Sequence, residues 1–452
     1  MLSVKNRFFL PVLKIFLVGC VFSDSQVSLS AEPDLELRST EWSIDKADPI
    51  GSVLAERKMV GLRSAVTAAL NNSPALAATT FSKSSAGYAR EAVEWQRFPR
   101  FSVNFLPNFF SANGVGAARS VLVEQPIWAG GRIDGQISVA QSQELSAVYA
   151  ESEMRRKLIE QVAVSYIGLM RADERVLIVD AGVELFNGLV GYVERRNQAG
   201  ASSSSDVEFA QSRLAQITVM KQQTRADLER IRTEFQAITV GDYDKAAPLV
   251  LPDYLPGSEA DIVASFLEVS PLFAQSKVEI ESSLANLQIK RAGIFPTVSI
   301  RIEHVNTPLA GGTVIEDTRM GLTLQYVPEA GLASISLIKE AESKIDAAKS
   351  EMKKREIDVT ASAKTALSDF ASSALQVKIL EQQAAALQRS ARSFLRQFDS
   401  GKKTWIDVLN INRELVEVKI NLSKARTAKE QSQLRLMVNT GVFHDWLEKL
   451  SS

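Results

Sequence analysis

The sequence predicts a mainly α-helical protein with a small β-barrel portion, built from two tandem structural repeats. Landmarks in the first half of the chain return in the second half at a nearly fixed separation. Two very long segments contain no proline and carry apolar residues at three- and four-residue spacing, which favours long, coiled-coil-like helices. Each half also contains two runs in which apolar and polar residues alternate, as they do in amphipathic strands.

The segment before the first repeat has the composition of an export signal followed by an extension. Residues 1–31 place basic residues ahead of an apolar stretch, and residues 32–60 form the N-terminal extension. Two signal endings remain open: cleavage after Ala31, or a lipobox that ends at Cys20 and places a lipid there. Because no later run of about 20 apolar residues occurs, we expect no membrane-spanning helix, and a closed β-barrel is then the alternative way through a bilayer.

Three pairs of landmarks define the two repeats. The pairs are Ser73-Pro74 with Ser270-Pro271 and Phe98-Pro99 with Phe295-Pro296, both 197 positions apart, and Gly200/Asp206 with Gly401/Asp407, 201 positions apart. These landmarks predict a first repeat at 61–240, a proline-containing linker at 241–261, a second repeat at 262–441 and a C-terminal tail at 442–452.

Within each repeat the elements follow the same order. They are a helical stretch (about 61–96 and 261–294), a strand pair (about 99–127 and 296–327), a long helix (about 133–199 and 333–400) and a returning helix (about 205–238 and 406–438). The alternation is clearest where Val298, Ile300 and Ile302 are separated by polar residues. At 1.5 Å per residue, each long helix is on the order of 100 Å in length.

The number of strands predicts an oligomer. The chain has four predicted strands, whereas the smallest membrane barrels have about eight strands, so several copies are needed to close one barrel. Three copies supply twelve strands. In such a homotrimer the polar alternate residues face the lumen, and apolar stripes on the long helices meet neighbouring chains.

Composition excludes several other classes of protein. Lys and Arg number 52 against 53 Asp and Glu, so no basic field favours a nucleic-acid partner. With one Cys and two His, the sequence has no disulfide framework and no Cys/His metal cluster. No phosphate-binding loop, zinc-protease pattern or nucleophile elbow was found in context. We therefore expect neither an enzyme nor a bound cofactor.

The residues from about Leu62 to Gly441 resemble the outer membrane efflux protein family, also called the TolC family. The resemblance rests on the two Ser-Pro pairs, on the paired Gly-x5-Asp-Val turns and on the segment Glu124–Arg132. It implies a homotrimer whose twelve-stranded barrel lies in outer-membrane lipid of a Gram-negative bacterium and whose helical tunnel extends into the periplasm. It also implies a passive duct that a periplasmic adaptor joins to an inner-membrane transporter.

The resemblance further implies a gate at the turn 401–410. Asp407 matches an acidic position of the family's constriction ring, and Lys403 matches a basic position that links neighbouring subunits in the closed state. Asn410 stands where some members carry a second carboxylate, so a two-ring entrance is in doubt. Asp206 is the equivalent residue of the first repeat. The alternative for both aspartates is an N-cap of the returning helix, which is compatible with a gate.

Structural roles are predicted at the other landmarks. Gly200 and Gly401 break the long helices, while Gly130 and Gly131 let the chain turn sharply from strand into helix. Pro126 belongs to the same junction, where the neighbouring Trp128 is a candidate anchor at the barrel rim.

The leading hypothesis for function is the outer-membrane channel of a tripartite export system. The cleavable signal and the Gln-Pro-Ile-Trp-x-Gly-Gly junction favour type I protein secretion. Lipid on Cys20 would instead favour drug or metal efflux by a proton-driven pump. A non-pore periplasmic coiled-coil scaffold is the alternative of a different class, and it leaves the four repeated strands without a purpose.

Overall fold

The structure is a computed structural model that describes residues 58–106, 118–252, 256–308, 313–326 and 333–450. These residues belong to one compact unit that begins at Glu56. The predicted signal with Cys20, nearly all of the N-terminal extension and the glycine-containing loops between the paired strands lie outside the described residues.

Each repeat begins with two helices rather than with the single helical stretch that the sequence predicted. The helices are α1 (Leu62–Asn72) and α2 (Pro74–Glu94) in the first repeat, and α5 (Glu259–Val269) and α6 (Pro271–Ala292) in the second. The break falls at Ser73 and Ser270, whose side chains accept hydrogen bonds from the N–H groups of Leu76 and Phe273. Proline at the first helical position pushes the preceding serine into extended backbone, which ends the earlier helix.

Four antiparallel strands form the main sheet. They are β2 (Arg100–Leu106), β3 (Ala118–Trp128), β5 (Thr297–Pro308) and β6 (Val314–Gln325), in the order β2-β3-β5-β6. The central pairing of β3 with β5 joins the two repeats, and in it Val123 lies opposite Ile302. A second sheet has two parallel strands, β1 (Met59–Val60) and β4 (Lys245–Ala246). Strand β4 lies inside the predicted linker.

One face of the main sheet is apolar and open. In the pairing register Phe101 lies opposite Val123, and Ile302 lies opposite Met320. The exposed apolar side chains on this face are Phe101, Val103, Phe105, Val121, Ile302, Met320, Leu322 and Leu324. The opposite face carries polar residues, among them Arg301 and Glu124, whose charged groups approach to 3.9 Å. The predicted alternation is therefore present, and its apolar side has no covering layer among the described residues.

Four long helices contain more than half of the described residues. They are α3 (Arg132–Gln198), α4 (Ser204–Thr239), α7 (Ala333–Asp399) and α8 (Trp405–Asn439). Helices α3 and α7 each contain 67 residues and are on the order of 100 Å long. In the half next to the sheet, α2 packs on α3, α3 on α6, and α6 on α7. In the half next to the helix turns, α4 packs on α3, α3 on α8, and α8 on α7.

Buried residues form several clusters along the helices. The largest surrounds Tyr166 and Phe235, whose rings meet edge to face at 6.2 Å. The Tyr166 hydroxyl donates to the carbonyl of Ala247 at 2.8 Å, and burial raises the pKa of this hydroxyl to about 12. Tyr166 therefore fixes the linker onto α3 as a neutral hydrogen-bond donor at physiological pH.

The predicted C-terminal tail contains a helix. Residues Val442–Lys449 form α9, which buries Phe443 and Leu447 in the cluster around Tyr166. Gly441, with φ of 82°, separates α9 from α8. Apolar residues at positions 443 and 447 are four apart and thus lie on one helical face, which explains why this short segment is helical.

One helix bears on the expectation that no helix of this chain spans a membrane. Among the described residues, α3 is long and apolar enough to cross a membrane by length and composition. One third of the most apolar 18-residue stretch of α3 is buried inside the protein. Val179, Phe186 and Val193 are fully buried residues of this helix. The sequence expectation required an unbroken apolar run, whereas this stretch includes Asp180 and still remains apolar on average. Packing against α8 accounts for these apolar residues.

Candidate functional site at the helix turns

The two turns that join long and returning helices are built alike. Gly200 and Gly401 have φ of 72° and 75°, and a side chain at either position would meet open space. After each glycine, a backbone N–H returns to the end of the long helix: Ala201 donates to the carbonyl of Arg196 at 2.8 Å, and Lys402 to that of Gln397 at 2.9 Å. Glycine permits the left-handed conformation that this helix end requires.

Each returning helix starts with a capping box. Thr404 is the N-cap of α8: its side chain accepts from the Asp407 N–H at 3.2 Å, and Asp407 Oδ2 accepts from the Thr404 N–H at 3.1 Å. Ser203 and Asp206 make the same pair of bonds at the start of α4. The alternative in which the aspartates are N-caps is therefore corrected, because each aspartate is the third helical residue and the preceding hydroxyl residue is the cap.

The Asp407 carboxyl is held in its ionised form. The hydrogen bond from the backbone N–H of Thr404 lowers its pKa most, and the hydrogen bond from the Thr404 hydroxyl lowers it further. The positive charge of Lys403 acts in the same direction. A carboxylate that accepts such bonds at a helix N-terminus is favoured by the helix dipole. Asp407 can therefore cap α8 and carry a negative charge at the same time.

Lys403 and Asn410 make different contacts. The Lys403 ammonium lies 4.5 Å from the centre of the Phe394 ring, a cation–π contact with the end of α7. Within the part of the chain that the structure describes, Lys403 has no carboxylate within salt-bridge distance. Asn410 Oδ1 accepts from Arg213 on α4 at 3.3 Å. The predicted residues thus divide: Lys403 and Asp407 share one turn, Asn410 contacts the first repeat, and Asp206 belongs to the other turn.

A polar contact that sequence reasoning missed joins the two repeats beside these turns. The Tyr192 hydroxyl, near the end of α3, donates to Asp399 Oδ1 at the end of α7, and this bond raises the pKa of Tyr192. Arg196 lies 3.7 Å from the same carboxylate and 4.9 Å from the centre of the Phe398 ring. We call Tyr192, Arg196 and Asp399 the inter-repeat latch.

Trp405 packs against the inter-repeat latch from the start of α8. Its ring stacks on Tyr192 with centroids 5.8 Å apart, and it lies 5.0 Å from Phe398. Only 2% of Trp405 is exposed, and its Nε1 has no hydrogen-bond partner among the described residues. Tyr192 lies more than 200 positions from Asp399 in sequence, so no local periodicity could reveal this contact. The one available signal was the concentration of aromatic residues just before and after Gly401.

The strand-to-helix junction has its own strict geometry. Gly130 and Gly131 have φ of 62° and 88°, and a Cβ on Gly130 would lie 2.8 Å from the Cβ of Phe295. Pro126 is buried, and the pairing of β3 with β5 shifts between Pro126 and Trp128. Trp128 packs edge to face on Phe295 at 5.8 Å. This packing sets the direction in which α3 leaves the sheet.

Within the described residues, no group of three or more His, Cys, Asp or Glu side chains is placed to hold a metal ion. The arrangement at the turns consists of a capped, charged carboxylate, a nearby cation and an aromatic cluster that links separate helices. These groups supply fixed charge and hold separate helices together, and no nucleophile–base pair was found among them.

Comparison with known proteins places these features in a family. The profile of the family described as "Outer membrane efflux protein" matches residues 65–236 and 262–442, which together make up more than half of the chain. The two matched stretches correspond to the two structural repeats.

Individual relatives and solved structures agree with that match. The chain is 20% identical over 328 residues to the outer membrane efflux protein BepC of Brucella suis, with 71% of each chain covered. It is similar in structure to the outer-membrane channel OprN, with a TM-score of 0.73, 17% identity and coverage of 84% of this chain and 89% of that one. The outer membrane protein VceC of Vibrio cholerae gives a TM-score of 0.69 at 15% identity, with coverage of 84% and 96%.

Proposed function

Because this chain belongs to the outer membrane efflux protein family, we propose that it is the exit duct of a tripartite export system. In this proposal three copies form the duct, a periplasmic adaptor joins it to an inner-membrane transporter, and substrates pass through it without chemical change. The observation that carries the proposal is the four-stranded sheet, whose apolar face is open and whose outer strands β2 and β6 each have one unpaired edge. Such a sheet suits a lipid-facing wall completed by further copies.

The substrate class that we propose is protein exported by a type I system. The support is the predicted cleavable signal together with the junction at Gln125–Gly131. Drug or metal efflux is the second candidate, and the name of BepC as an efflux protein favours it. Deleting the chromosomal copy separates them: loss of a secreted protein supports the first, and increased sensitivity to drugs or metal ions supports the second.

We further propose that Asp407 contributes the charge of the periplasmic constriction. Threefold symmetry would bring three Asp407 carboxylates around one axis, where they favour cations. In the closed state of the proposed duct, Lys403 would exchange its contact with the Phe394 ring for a carboxylate of a neighbouring copy. Asp206, in the matching turn of the first repeat, is the weaker candidate for the same ring, and Asn410 contributes no charge.

Planar-bilayer recording of the detergent-extracted protein tests both proposals. We expect stable, cation-selective pores, with Asp407→Asn reducing the cation preference. Thr404→Ala is the matched control, because it removes the cap of α8 and leaves the Asp407 charge in place. Equal selectivity in wild type and Asp407→Asn would remove Asp407 from the constriction.

The duct itself is tested by the presence of pores. Folded protein that forms no pore, even with Lys403→Ala and the latch variant Tyr192→Phe combined, would favour the periplasmic scaffold over a channel.

A further inference from the structure

The contact between α2 and α3 is lined by charged side chains. Two cations of α2 and one of the 3-10 turn that follows it each meet a carboxylate of α3. The three pairs, with nitrogen-to-oxygen distances of 2.5, 2.6 and 2.6 Å, are Lys83–Glu151, Arg90–Glu144 and Arg97–Asp134. The cations are spaced seven residues apart, which places them on nearly the same side of the helix. We call these three ion pairs the charged seam.

The first two pairs of the charged seam are fitted into the contact between the helices. The side chain of Glu151 is only 11% exposed, and it also accepts a hydrogen bond from the Thr80 hydroxyl at 3.1 Å. Gly87 lies between the two cations of α2, and a Cβ there would be 3.3 Å from Glu144 Oε1. The lack of a side chain at Gly87 therefore lets Glu144 approach the backbone of α2. The third pair is more than half exposed on both sides and contributes little by itself.

The equivalent contact in the second repeat, between α6 and α7, is apolar. The offset is 197 positions between α2 and α6 and 201 positions between α3 and α7. With these offsets the residues that replace the three ion pairs are Ile280 with Met352, Leu287 with Ile345, and Ile294 with Ile335. Leu287 and Ile345 are buried in one apolar cluster. Among the described residues, α6 and α7 share one ion pair, Arg291–Glu342, which is about half exposed.

Helix α3 receives α6 on a surface of a different kind. A Cβ on Gly135 of α3 would lie 2.7 Å from Cγ1 of Ile289, so α6 approaches the backbone of α3 closely at this glycine. Nearby, the side chain of Gln275 on α6 donates to the Ser146 hydroxyl on α3 at 2.9 Å. Helix α3 thus offers α2 a line of carboxylates, and it offers α6 small and uncharged side chains.

These two kinds of surface prevent α2 and α6 from exchanging places. The two helices contain 21 and 22 residues, so their lengths do not distinguish them. In the position of α6, helix α2 would place Arg90 where Leu287 now meets Ile345. The reverse exchange would leave the Glu151 carboxylate facing Ile280. Either exchange removes charges from water without a partner, and such a misfit excludes the wrong helix.

We propose that the charged seam determines which helix packs where during folding: it directs α2 to α3 in one register and excludes it from the position of α6. The residues that carry this specificity are Lys83, Arg90, Glu144 and Glu151. Replacing partly buried ion pairs by apolar residues of similar size often leaves stability unchanged or raises it. The charged seam therefore acts on the choice of partner more than on the strength of the contact. This role concerns folding within one chain and does not depend on the proposed function.

Cysteine pairs can report which helix occupies the position of α6. Ser146→Cys with Gln275→Cys reports the native contact, because these two side chains touch. Ser146→Cys with Ala78→Cys reports the exchange, since Ala78 is the α2 equivalent of Gln275. In the native register Ala78 is about 15 Å along the helices from the level of Ser146, out of reach of a short bis-maleimide. The Ser146→Cys single variant controls for any involvement of Cys20.

The charged seam is then made apolar in both reporter backgrounds. The variant carries the residues of the second repeat: Lys83→Ile, Arg90→Leu, Glu144→Ile and Glu151→Met. After refolding from urea into detergent, we expect the exchange cross-link to appear only in this variant, with a matching loss of the native cross-link. Arg230→Leu with Glu234→Met, which removes an exposed ion pair of α4, is the control and should give the native cross-link alone. A full native cross-link without any exchange product in the apolar variant would overturn the inference.

Charge reversal tests the register, and it decides the matter if the apolar variant does not refold. Lys83→Glu is combined either with Glu151→Lys, its own partner, or with Glu144→Lys, the partner one pair away. Both double variants have the same composition. We expect the matched pair to recover most of the melting temperature lost in Lys83→Glu, short of full recovery because Arg155 lies 3.9 Å from Glu151. The mismatched pair should lower it further, whereas equal melting temperatures of the two double variants would overturn the inference.

Discussion

Asp407 shows how one residue can be fixed by local chemistry and still carry the charge that the proposed constriction requires. Its carboxylate closes the capping box with Thr404, and the same hydrogen bonds keep it ionised. Asp206 repeats the box without a cation like Lys403 beside it in sequence. The sequence indicated a cap at both positions, but its assignment of the cap to the aspartate was off by three residues, because hydroxyl and carboxyl side chains both suit the first position.

Acidification should weaken the start of α8. The pKa of Asp407 is lowered from 3.8 by folding, so its contribution to stability is complete above pH 3.8 and is lost as the pH falls through the lowered value. We expect Asp407→Asn to reduce the melting temperature at pH 7, and the difference from wild type to shrink toward pH 3. A difference that is the same at both pH values would show that the charge of Asp407 does not stabilise the fold. Circular dichroism of the detergent-extracted protein measures it.

Glycine positions with equal backbone strain should differ in their tolerance of a side chain. Gly130 and Gly200 both have positive φ, but only at Gly130 would a Cβ collide, 2.8 Å from Phe295. We expect Gly200→Ala to cost about 1 kcal/mol from the left-handed backbone alone. Gly130→Ala should cost more, by about 1 to 3 kcal/mol, since the backbone must also move. Melting temperatures compare the two variants, and equal losses would mean that the junction can relax.

At the scale of elements, the inter-repeat latch connects helices that the sequence could place only separately. The ends of α3 and α7 are joined through Tyr192 and Asp399, and Trp405 fixes the start of α8 against both. This cluster and Asp407 lie within the same turn region. Any widening of a passage at the turns must therefore separate these contacts or move them as one body.

Removing the latch hydroxyl should loosen the turns without disturbing the fold. Tyr192→Phe keeps the ring stacked on Trp405 and deletes the hydrogen bond to Asp399. We expect a larger single-channel conductance or a higher open fraction. The free energy of unfolding should change by no more than about 1 kcal/mol, so the melting temperature should stay close to that of wild type. Tyr149→Phe, which changes a tyrosine in the sheet-side half of α3, is the matched control. Unchanged conductance in Tyr192→Phe would assign the latch a purely structural role.

At the scale of the whole molecule, the described part of the chain leaves surfaces without a partner. Among the described residues, the sheet leaves one edge of β2 and one edge of β6 unpaired, and its apolar face is exposed. The family match confirms the resemblance inferred from the sequence, the outer-membrane location and the expectation that the protein is a channel component and not an enzyme. The mainly helical architecture in two repeats is likewise confirmed.

The solubility of the protein and the mass of its oligomer should reflect these unpartnered surfaces. We expect the mature protein to be extracted from membranes only with detergent and to have the mass of three chains plus detergent by light scattering. The reason is that the exposed apolar sheet face requires lipid or its substitute, while the free edges require partner strands. A water-soluble monomer would contradict both the lipid-facing sheet and the trimer.

The sequence by itself determined the order of the elements, the two repeats and the ends of the long helices. These depend on local rules: periodicity sets helix or strand, glycine ends a helix, and a serine before proline starts one. It therefore predicted the long helices to within about one residue of Arg132–Gln198 and Ala333–Asp399. It missed the breaks at Ser73 and Ser270, where the following proline disfavours helical backbone at the serine.

The tertiary structure alone decided which distant residues meet. The pairing of β3 with β5 and the latch between Tyr192 and Asp399 join residues at least 170 positions apart, and α9 brings Phe443 into the cluster around Tyr166. Such contacts depend on the register and direction of whole helices and strands, and no periodicity in the chain encodes them.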